Sequence, residues 1–311
     1  MNYSKDAYDV LNEIFDKHKK WLDGDENGEQ AVFKNIRMYD AVIKDKDLRK
    51  ADFSGAKLYR ANFVDCNLTG AIFDNSNIGC SIFFDCTMEA ASFKNSELYD
   101  VDFRNVSLRN TNFEESDLYD LDFDATDFNG SIFCSSILNC FSFVKDVNLT
   151  NTDFSNCTFN SITFHECPLS GSKFNNIKFN KSYFCDTDMT DVEGLPEMVC
   201  PEEGSFIGYK KVLDRPAKKS FIITLEIPED AERLSSFDND CRCSKAKVLS
   251  IESLDDDKDI VQSITNMHYV KTAYTVGEMV YPDSYNSDRW KKYSNGIHFF
   301  MSKEEAVNFS F

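Results

Sequence analysis

The chain has 311 residues, of which 53 are acidic and 34 are basic, so its formal net charge is −19 at pH 7. No apolar stretch approaches the length of a membrane span, and the opening Met-Asn-Tyr-Ser-Lys-Asp lacks the charged and apolar regions of a secretion signal. We therefore expect a soluble, cytoplasmic protein that does not bind membranes. The acidic balance also argues against direct binding of nucleic acid, whose phosphates would be repelled.

Residues 1–30 predict a helix that caps the domain after it. Ser4 is suited to be the N-cap, and Gly24 and Gly28 would end the helix. A cap here would cover the first coil of the following domain, which would otherwise present an unpaired strand edge. The apolar residues that recur at helical spacing are Ala7, Leu11, Ile14, Phe15 and Leu22.

Residues 31–190 carry an apolar residue at every fifth position. A helix would rotate such residues around its axis, and a flat strand would alternate them between its two faces. A chain that turns a corner every five residues instead places all of them inside. One six-residue step, around Lys145, interrupts the spacing, and five-residue register then resumes through Met189. The regular run includes Phe53, Leu58, Phe63, Leu68, Phe73, Ile78, Phe83, Met88, Phe93 and Leu98.

These units resemble the pentapeptide-repeat family, whose repeat reads Ala-(Asp/Asn)-(Leu/Phe)-x-x, as in Ala51-Asp52-Phe53 and Ala61-Asn62-Phe63. The resemblance implies a right-handed, four-sided β-helix of about eight coils with a continuous core. Register then predicts Phe columns on two opposite sides and aliphatic columns on the other two. Phe128, Phe159 and Phe179 should make the core more aromatic toward its C-terminal end. The step at Lys145 predicts a bulged corner, either a tolerated insertion or the mark of a functional position.

The eleven cysteines resemble small core residues more than a disulfide framework. Four of them stand at the small inward position two residues before an apolar one, and we expect free thiols. The four are Cys66, Cys86, Cys157 and Cys167.

Residues 191–204 are rich in Pro, Gly and Glu and predict a junction, and residues 205–311 predict a small, β-rich α+β domain. Ser302 and Glu305 have capping-box spacing, so a short helix should follow. The segments Ile222–Glu232 and Ser294–Ala306 resemble an uncharacterised domain appended to pentapeptide repeats in phage and bacterial proteins, which implies no particular activity. The predicted strand segments are Phe206–Tyr209, Phe221–Ile227, Ala246–Ile251, Tyr274–Val280 and Gly296–Phe300.

Catalytic and metal-binding signals in the C-terminal domain are sparse. Cys241 and Cys243 could supply two metal ligands, but His268 and His298 lack a spaced partner, so we predict no metal and no cofactor. Residues 296–309 resemble a strand-then-helix element of ADP-ribosyltransferases, with His298 where that family has Tyr. The rest of that family's motifs have no counterpart, so we expect His298 at the surface and no catalysis. The acidic run 255–257 predicts a solvated loop.

Folding the repeats into coils concentrates the negative charge at one corner of the β-helix. Three acidic residues should each lie one coil below a second acidic residue, which gives three stacked pairs. Like charges stacked in register are mildly destabilising. The corner therefore suggests a partner, although acidic faces also serve solubility alone. The predicted partner-binding residues, called the acidic corner below, are Glu97, Asp100, Asp102, Asp117, Asp120 and Asp122.

Three classes of function follow. The first, which we predict, is a non-enzymatic binding or scaffold protein whose rigid acidic β-helix docks a basic protein surface. The second is a DNA-mimicking inhibitor, as in the pentapeptide-repeat inhibitors of DNA gyrase. The third is an enzyme of ADP-ribosyltransferase type in the C-terminal domain. The partner's identity and the oligomeric state stay open.

Overall fold

A computed structural model of the chain describes residues 5–214, 219–236, 239–254, 261–266, 272–291 and 294–309, with only the backbone for residues 5–9 and 266. The chain forms two compact units, residues 1–195 and residues 196–311. Within the described ranges, no helix is both long enough and apolar enough to cross a membrane. The predicted N-cap Ser4, the acidic run 255–257 and His268 lie outside the described residues.

The described part of the first unit contains one helix and sixteen short strands. They are α1 (Lys5–Leu22), β1 (Arg37–Tyr39), β2 (Val42–Lys44), β3 (Lys57–Tyr59), β4 (Asn62–Val64), β5 (Asn77–Gly79), β6 (Ile82–Phe84), β7 (Glu97–Tyr99), β8 (Asp102–Arg104), β9 (Asp117–Tyr119), β10 (Asp122–Asp124), β11 (Ile137–Asn139), β12 (Ser142–Phe143), β13 (Thr158–Asn160), β14 (Thr163–His165), β15 (Lys178–Asn180) and β16 (Tyr183–Cys185).

These strands stack in parallel as a four-sided β-helix. Eight strands form a continuous sheet in the order β1-β3-β5-β7-β9-β11-β13-β15 on one side. The neighbouring side holds the even-numbered strands: one sheet is formed by β2, β4, β6, β8 and β10, and another by β12, β14 and β16. Single parallel bridges spaced twenty residues apart, such as Asp52 with Ile72 and Asn67 with Thr87, form the two remaining sides. Residues 51–189, all of them described, contain no helix, as predicted.

The corners require a left-handed backbone. Along the repeats, nearly every fifth residue, two after the buried apolar one, has a positive φ, for example Asn75 (58°), Asp100 (53°) and Asp120 (53°). Asn, Asp and Gly tolerate this conformation best, because Cβ sterics disfavour it for other residues. The frequent Asn and Asp at these positions therefore have a backbone reason that is independent of charge.

The core is filled by the predicted aromatic columns. Phe73, Phe93 and Phe113 stack with ring centroids 4.8 and 4.9 Å apart, and Phe83 and Phe103 stack at 5.1 Å in the second column. Rings of the two columns meet edge to face, which is a preferred aromatic geometry. The aliphatic residues between them are also fully buried, including Leu58, Ile78, Met88, Leu98 and Leu108.

The six-residue step is absorbed without loss of register. The offset between partners rises from 20 residues, as in Asp117 with Ile137, to 21, as in Ile137 with Thr158. On the neighbouring side the ladder stops at β10 and restarts at β12. Phe141 occupies an inward position that smaller residues hold in other coils, and its ring packs against Phe123 and Phe143 at 5.6 and 5.4 Å. We attribute the break to this large side chain together with the inserted residue.

Helix α1 packs on the first coil, as predicted. It ends at Leu22, followed by Gly24 with φ 79°. The ring of Phe15 lies 6.1 Å from that of Phe33, and the backbone N–H of Ala31 donates to His18 Nδ1 at 2.9 Å. His18 is fully buried, which the sequence pattern did not predict.

The second unit is a β-rich domain. Its elements are β17 (Phe206–Asp214), β18 (Lys219–Ile227), β19 (Arg233–Ser235), β20 (Cys241–Cys243), β21 (Ala246–Ser253), β22 (Ser263–Asn266), β23 (Thr272–Thr275), β24 (Met279–Val280), β25 (Ile297–Phe299) and α2 (Lys303–Asn308). An antiparallel sheet has the order β17-β18-β21-β24, and smaller sheets are formed by β19-β20-β25 and by β22-β23.

The predicted elements of this domain are partly right. Helix α2 begins after Ser302 with both hydrogen bonds of the capping box. The segment predicted as one strand over 274–280 is instead the end of β23, a turn, and β24. Residues 196–204, all of them assigned above to a junction, fall in the second unit, where Cys200 joins the buried core.

Candidate protein-docking surface

The structure brings the six predicted carboxylates together at one corner. Glu97 pairs with Asp117 across β7 and β9, and Asp102 pairs with Asp122 across β8 and β10. Asp100 and Asp120 occupy the turn between these two sides, one coil apart. Since neighbouring parallel strands lie about 4.8 Å apart, the three pairs form a compact patch on a fixed backbone.

One of the six carboxylates, Asp102, is already neutralised by Arg104, which was not among the predicted site residues. Arg104 Nε donates to Asp102 Oδ1 at 2.9 Å, its second nitrogen donates to Oδ2, and the Asp102 side chain is only 19% exposed. The hydrogen bond to Asp102 raises the pKa of the Arg104 guanidinium, and the charges of Asp102, Asp122 and Asp124 add to the shift. Residues two apart on a strand share a face, so spacing places Asp102 and Arg104 on the same outer face.

Two asparagines orient the carboxylates of Glu97 and Asp117. Asn77 Nδ2 donates to Glu97 Oε2 at 2.7 Å, and Asn139 Nδ2 donates to Asp117 Oδ1 at 3.1 Å. Both asparagines lie on the coils next to the acidic corner, one below and one above it. The patch therefore ends in amides rather than in further charges.

A column of tyrosines runs beside the acidic corner. Tyr39, Tyr99 and Tyr119 are 45%, 37% and 50% exposed, and Tyr59 is half-buried in the same register. Gly79 takes the place of a tyrosine in the column, and a Cβ there would overlap the ring of Tyr99, which lies over the glycine. This column was not predicted, although its twenty-residue spacing is visible in the sequence.

Three carboxylates of the acidic corner border a surface depression of about 400 Å³. Asp100, Asp120 and Asp122 line it together with Phe141 and Val144. The depression coincides with the break between β10 and β12, so the six-residue step has a local structural effect next to the predicted site. Val144, which precedes the inserted Lys145, is 40% exposed.

Family comparisons agree with this architecture. Residues 56–133 match the pentapeptide repeat region, residues 30–79 and 145–180 match pentapeptide repeats (8 copies), and residues 196–306 match a family of unknown function, DUF5758. The chain carries pentapeptide repeats followed by a DUF5758 domain. No curated protein matches the sequence.

Solved pentapeptide-repeat structures are similar to about half of this chain. Full-length QnrB1, a plasmid-mediated fluoroquinolone resistance protein, is 14% identical, with 50% of this chain and 90% of QnrB1 covered and a TM-score of 0.27. HetL, involved in heterocyst differentiation regulation in the cyanobacterium Nostoc sp. strain PCC 7120, is 11% identical, with coverages of 56% and 93% and a TM-score of 0.18. Rfr23 from the cyanobacterium Cyanothece 51142 is 13% identical, with coverages of 48% and 90% and a TM-score of 0.19.

In the DUF5758 domain, His298 is held from two sides. Its Nδ1 lies 3.0 Å from Asp240 Oδ2, and its Nε2 lies 2.7 Å from the carbonyl oxygen of Ser294. The ring is half-buried rather than on the surface as expected, and both nitrogens already face acceptors. Phe299 is a fully buried core residue, whereas Phe300 is only half-buried.

The two candidate metal ligands of this domain are core thiols. Cys241 and Cys243 are fully buried on β20 and pack within the hydrophobic core. Burial raises the pKa of the Cys243 thiol to about 12, which disfavours the thiolate that a metal needs. The same strand carries a buried arginine between them, Arg242, whose guanidinium donates to the carbonyl oxygens of Asn286, Asp288 and Lys291.

Proposed function

We propose that the protein is a non-enzymatic binding or scaffold protein whose acidic corner docks a basic surface of a partner protein. The observation that carries this proposal is the stacking of carboxylates on a rigid β-helix directly beside exposed tyrosines. Exposed aromatic rings supply contact area at low entropic cost, and they are enriched at the centres of protein interfaces. Fixed charges next to them would steer encounter and set orientation.

The charge of this surface changes along the β-helix, because the two coils at its N-terminal end are basic. There, the side that carries the tyrosine column presents Arg37 and Lys57. Arg60, 5.0 Å above the ring of Tyr59, is paired with Asp40 and adds little net charge. The same stripe is thus basic at one end and acidic in the middle. A partner with a basic patch would be attracted to the middle coils and repelled from the first two, which favours one orientation over the reverse.

Mimicry of duplex DNA is the alternative within the same class of surface. DNA presents one negative charge per about 1.7 Å of helix axis and a major groove about 12 Å wide. The acidic corner extends over two coils, about 5 Å of stack, and includes the Arg104 cation. Its extent favours contact with a local basic patch over imitation of a whole groove.

An enzymatic role for the DUF5758 domain would require His298 to contact a substrate. The ring would first have to release Asp240 or the Ser294 carbonyl oxygen, since both its nitrogens are engaged. This arrangement supports a positioning role for His298 within the domain, and we place the function of the protein in the β-helix.

The test uses two matched triple variants of the full chain as baits for host lysate. The first changes Asp100, Asp117 and Asp120 to Asn, and the second changes Asp45, Asp65 and Asp85 to Asn at a different corner. Each variant raises the formal net charge from −19 to −16, because three carboxylates are neutralised. Asp100 and Asp120, like all three control residues, stand at left-handed corners, where Asn is equally suited.

We expect quantitative mass spectrometry to find proteins that the wild type and the control variant retain and the first variant loses. With such a partner in hand, the first variant should associate about tenfold more slowly at low salt and show a flatter salt dependence. If the two triple variants retain the same proteins with the same association rates, the acidic corner is only a solvated face. Captured proteins that are DNA-binding enzymes released by duplex DNA would favour mimicry.

A further inference from the structure

Four potential metal ligands lie together on adjacent coils near the C-terminal end of the β-helix. His165 and Cys185 are register partners on β14 and β16. Glu166 and Asp186 follow them at corner positions, with φ of 51° and 49°. Because successive coils repeat the same backbone geometry, equivalent side chains leave the surface in the same direction. The two residue pairs are therefore stacked one coil apart at the same corner.

The ligand atoms are close enough to share an ion. One atom each from His165, Cys185 and Asp186 lies within 4.8 Å of the other two. Cys185 Sγ donates to Asp186 Oδ2 at 3.5 Å, and His165 Nε2 lies 3.8 Å from Glu166 Oε1. A tetrahedral zinc ion with bonds of about 2.0–2.3 Å needs ligand atoms roughly 3.3–3.8 Å apart. Among these three atoms the widest separation must therefore shrink by about 1 Å, within reach of side-chain rotation at this half-exposed surface. Glu166, whose Oε1 lies 3.8 Å from His165 Nε2, must turn further toward the other two ligands.

We propose that His165, Cys185 and Asp186 bind a zinc ion, with Glu166 as the fourth ligand. Thiolate, imidazole and carboxylate together suit zinc, whereas magnesium and calcium prefer oxygen ligands alone. Binding releases the thiol proton of Cys185 to solvent, so affinity rises with pH. The metal would join two neighbouring coils by side-chain bonds and thereby stabilise this end of the repeat array, where each coil depends on its neighbours.

Lys145 competes for the fourth ligand. Its ammonium nitrogen lies 3.9 Å from Glu166 Oε2, and its side chain is 74% exposed. Lys145 is the residue at the six-residue step, so the insertion places a cation directly against the proposed site. Zinc has to displace this weak ion pair, and removing the lysine charge should therefore strengthen zinc binding.

The test measures binding of the metal alone to the chelator-treated full chain. Cobalt(II) replaces zinc as a spectroscopic probe, because a cobalt–thiolate bond gives a charge-transfer band that identifies a cysteine ligand. Cys185→Ser should abolish the band, and His165→Gln should weaken zinc binding by more than about tenfold, since even partners of metal ligands contribute about 10- to 100-fold. Cys140→Ser, an exposed cysteine at another corner, is the matched control and should keep both the band and the affinity.

Two further measurements decide the proposal. Lys145→Gln should raise the zinc affinity, and saturating zinc should raise the thermal midpoint of the wild type but not of Cys185→Ser. The far-ultraviolet circular dichroism of the metal-free variants reports whether each is folded. A cobalt band that persists in folded Cys185→Ser, or a wild type that binds no zinc, would overturn the proposal.

Discussion

The stability of the β-helix rests on its stacked rings, and two neighbouring residues of β6 test this directly. Phe83 is fully buried, stacks on Phe63 and Phe103 at 5.0 and 5.1 Å, and meets Phe73 edge to face at 6.1 Å. Phe84, the next residue, points outward and is 38% exposed. Phe83→Ala removes the ring from a column that cannot collapse without moving whole coils, so we expect a loss of about 3–5 kcal/mol. Phe84→Ala should cost less than about 1 kcal/mol.

The measurement is urea unfolding followed by tryptophan fluorescence. The chain has two tryptophans, Trp21 in the first unit and Trp290 in the second. In a Trp290→Phe background, Trp21 reports the first unit alone. The urea midpoint should fall strongly for Phe83→Ala and barely for Phe84→Ala, with similar slopes for both variants. Equal losses for the two variants would refute the assignment of stability to the filled aromatic column.

Two other predictions concern single histidines. Burial lowers the pKa of His18 below its ordinary value of 6.5; the charge of Asp47 and a hydrogen bond with the Arg49 backbone oppose this shift, and the charge of Arg49 adds to it. As the pH falls, the unfolded state therefore takes up the proton before the folded state does. The free energy of unfolding of the first unit should be greatest above pH 6.5 and should decrease as the pH falls below it. Unfolding followed by Trp21 fluorescence at a series of pH values measures this trend. His18→Asn should flatten this pH dependence, and an unchanged profile would contradict the reasoning. For the second unit, we expect no NAD turnover or self-modification by the purified protein, and His298→Ala should change only thermal stability; turnover that the variant loses would restore the transferase hypothesis.

The fold of the repeats was predictable because a five-residue period fits only a chain that turns at every fifth residue. The same period fixes which residues stack, so the pairing of Glu97 with Asp117 and of Asp102 with Asp122 followed from counting. What surrounds those residues did not follow as easily. The register also pairs Arg104 with Asp124, but only the side-chain conformation shows that the guanidinium turns toward Asp102.

The second unit was less predictable because its strands have no shared period. Strands β17, β18 and β21 lie over predicted apolar segments, whereas β19, β20 and β22 were missed. Their short length gives propensity little weight against tertiary contacts. Arg242 illustrates the difficulty, because a buried arginine on a strand is stable only when carbonyl groups from a distant loop accept its hydrogen bonds, and local sequence does not reveal them.

Backbone preference and charge can be separated at the acidic corner. The left-handed turn explains a short polar residue at positions 100 and 120, but asparagine satisfies the turn as well as aspartate does, as Asn75, Asn95 and Asn105 show at other corners. Stacked carboxylates repel, so the fold itself gains nothing from the charge. Solubility would be served by charges on any face, yet these carboxylates lie beside Tyr99 and Tyr119, whose exposed rings favour association. In protein docking, charge steers the encounter of the two partners and exposed aromatic rings add contact area. The matched triple variants test whether the carboxylates beside these tyrosines act in this way.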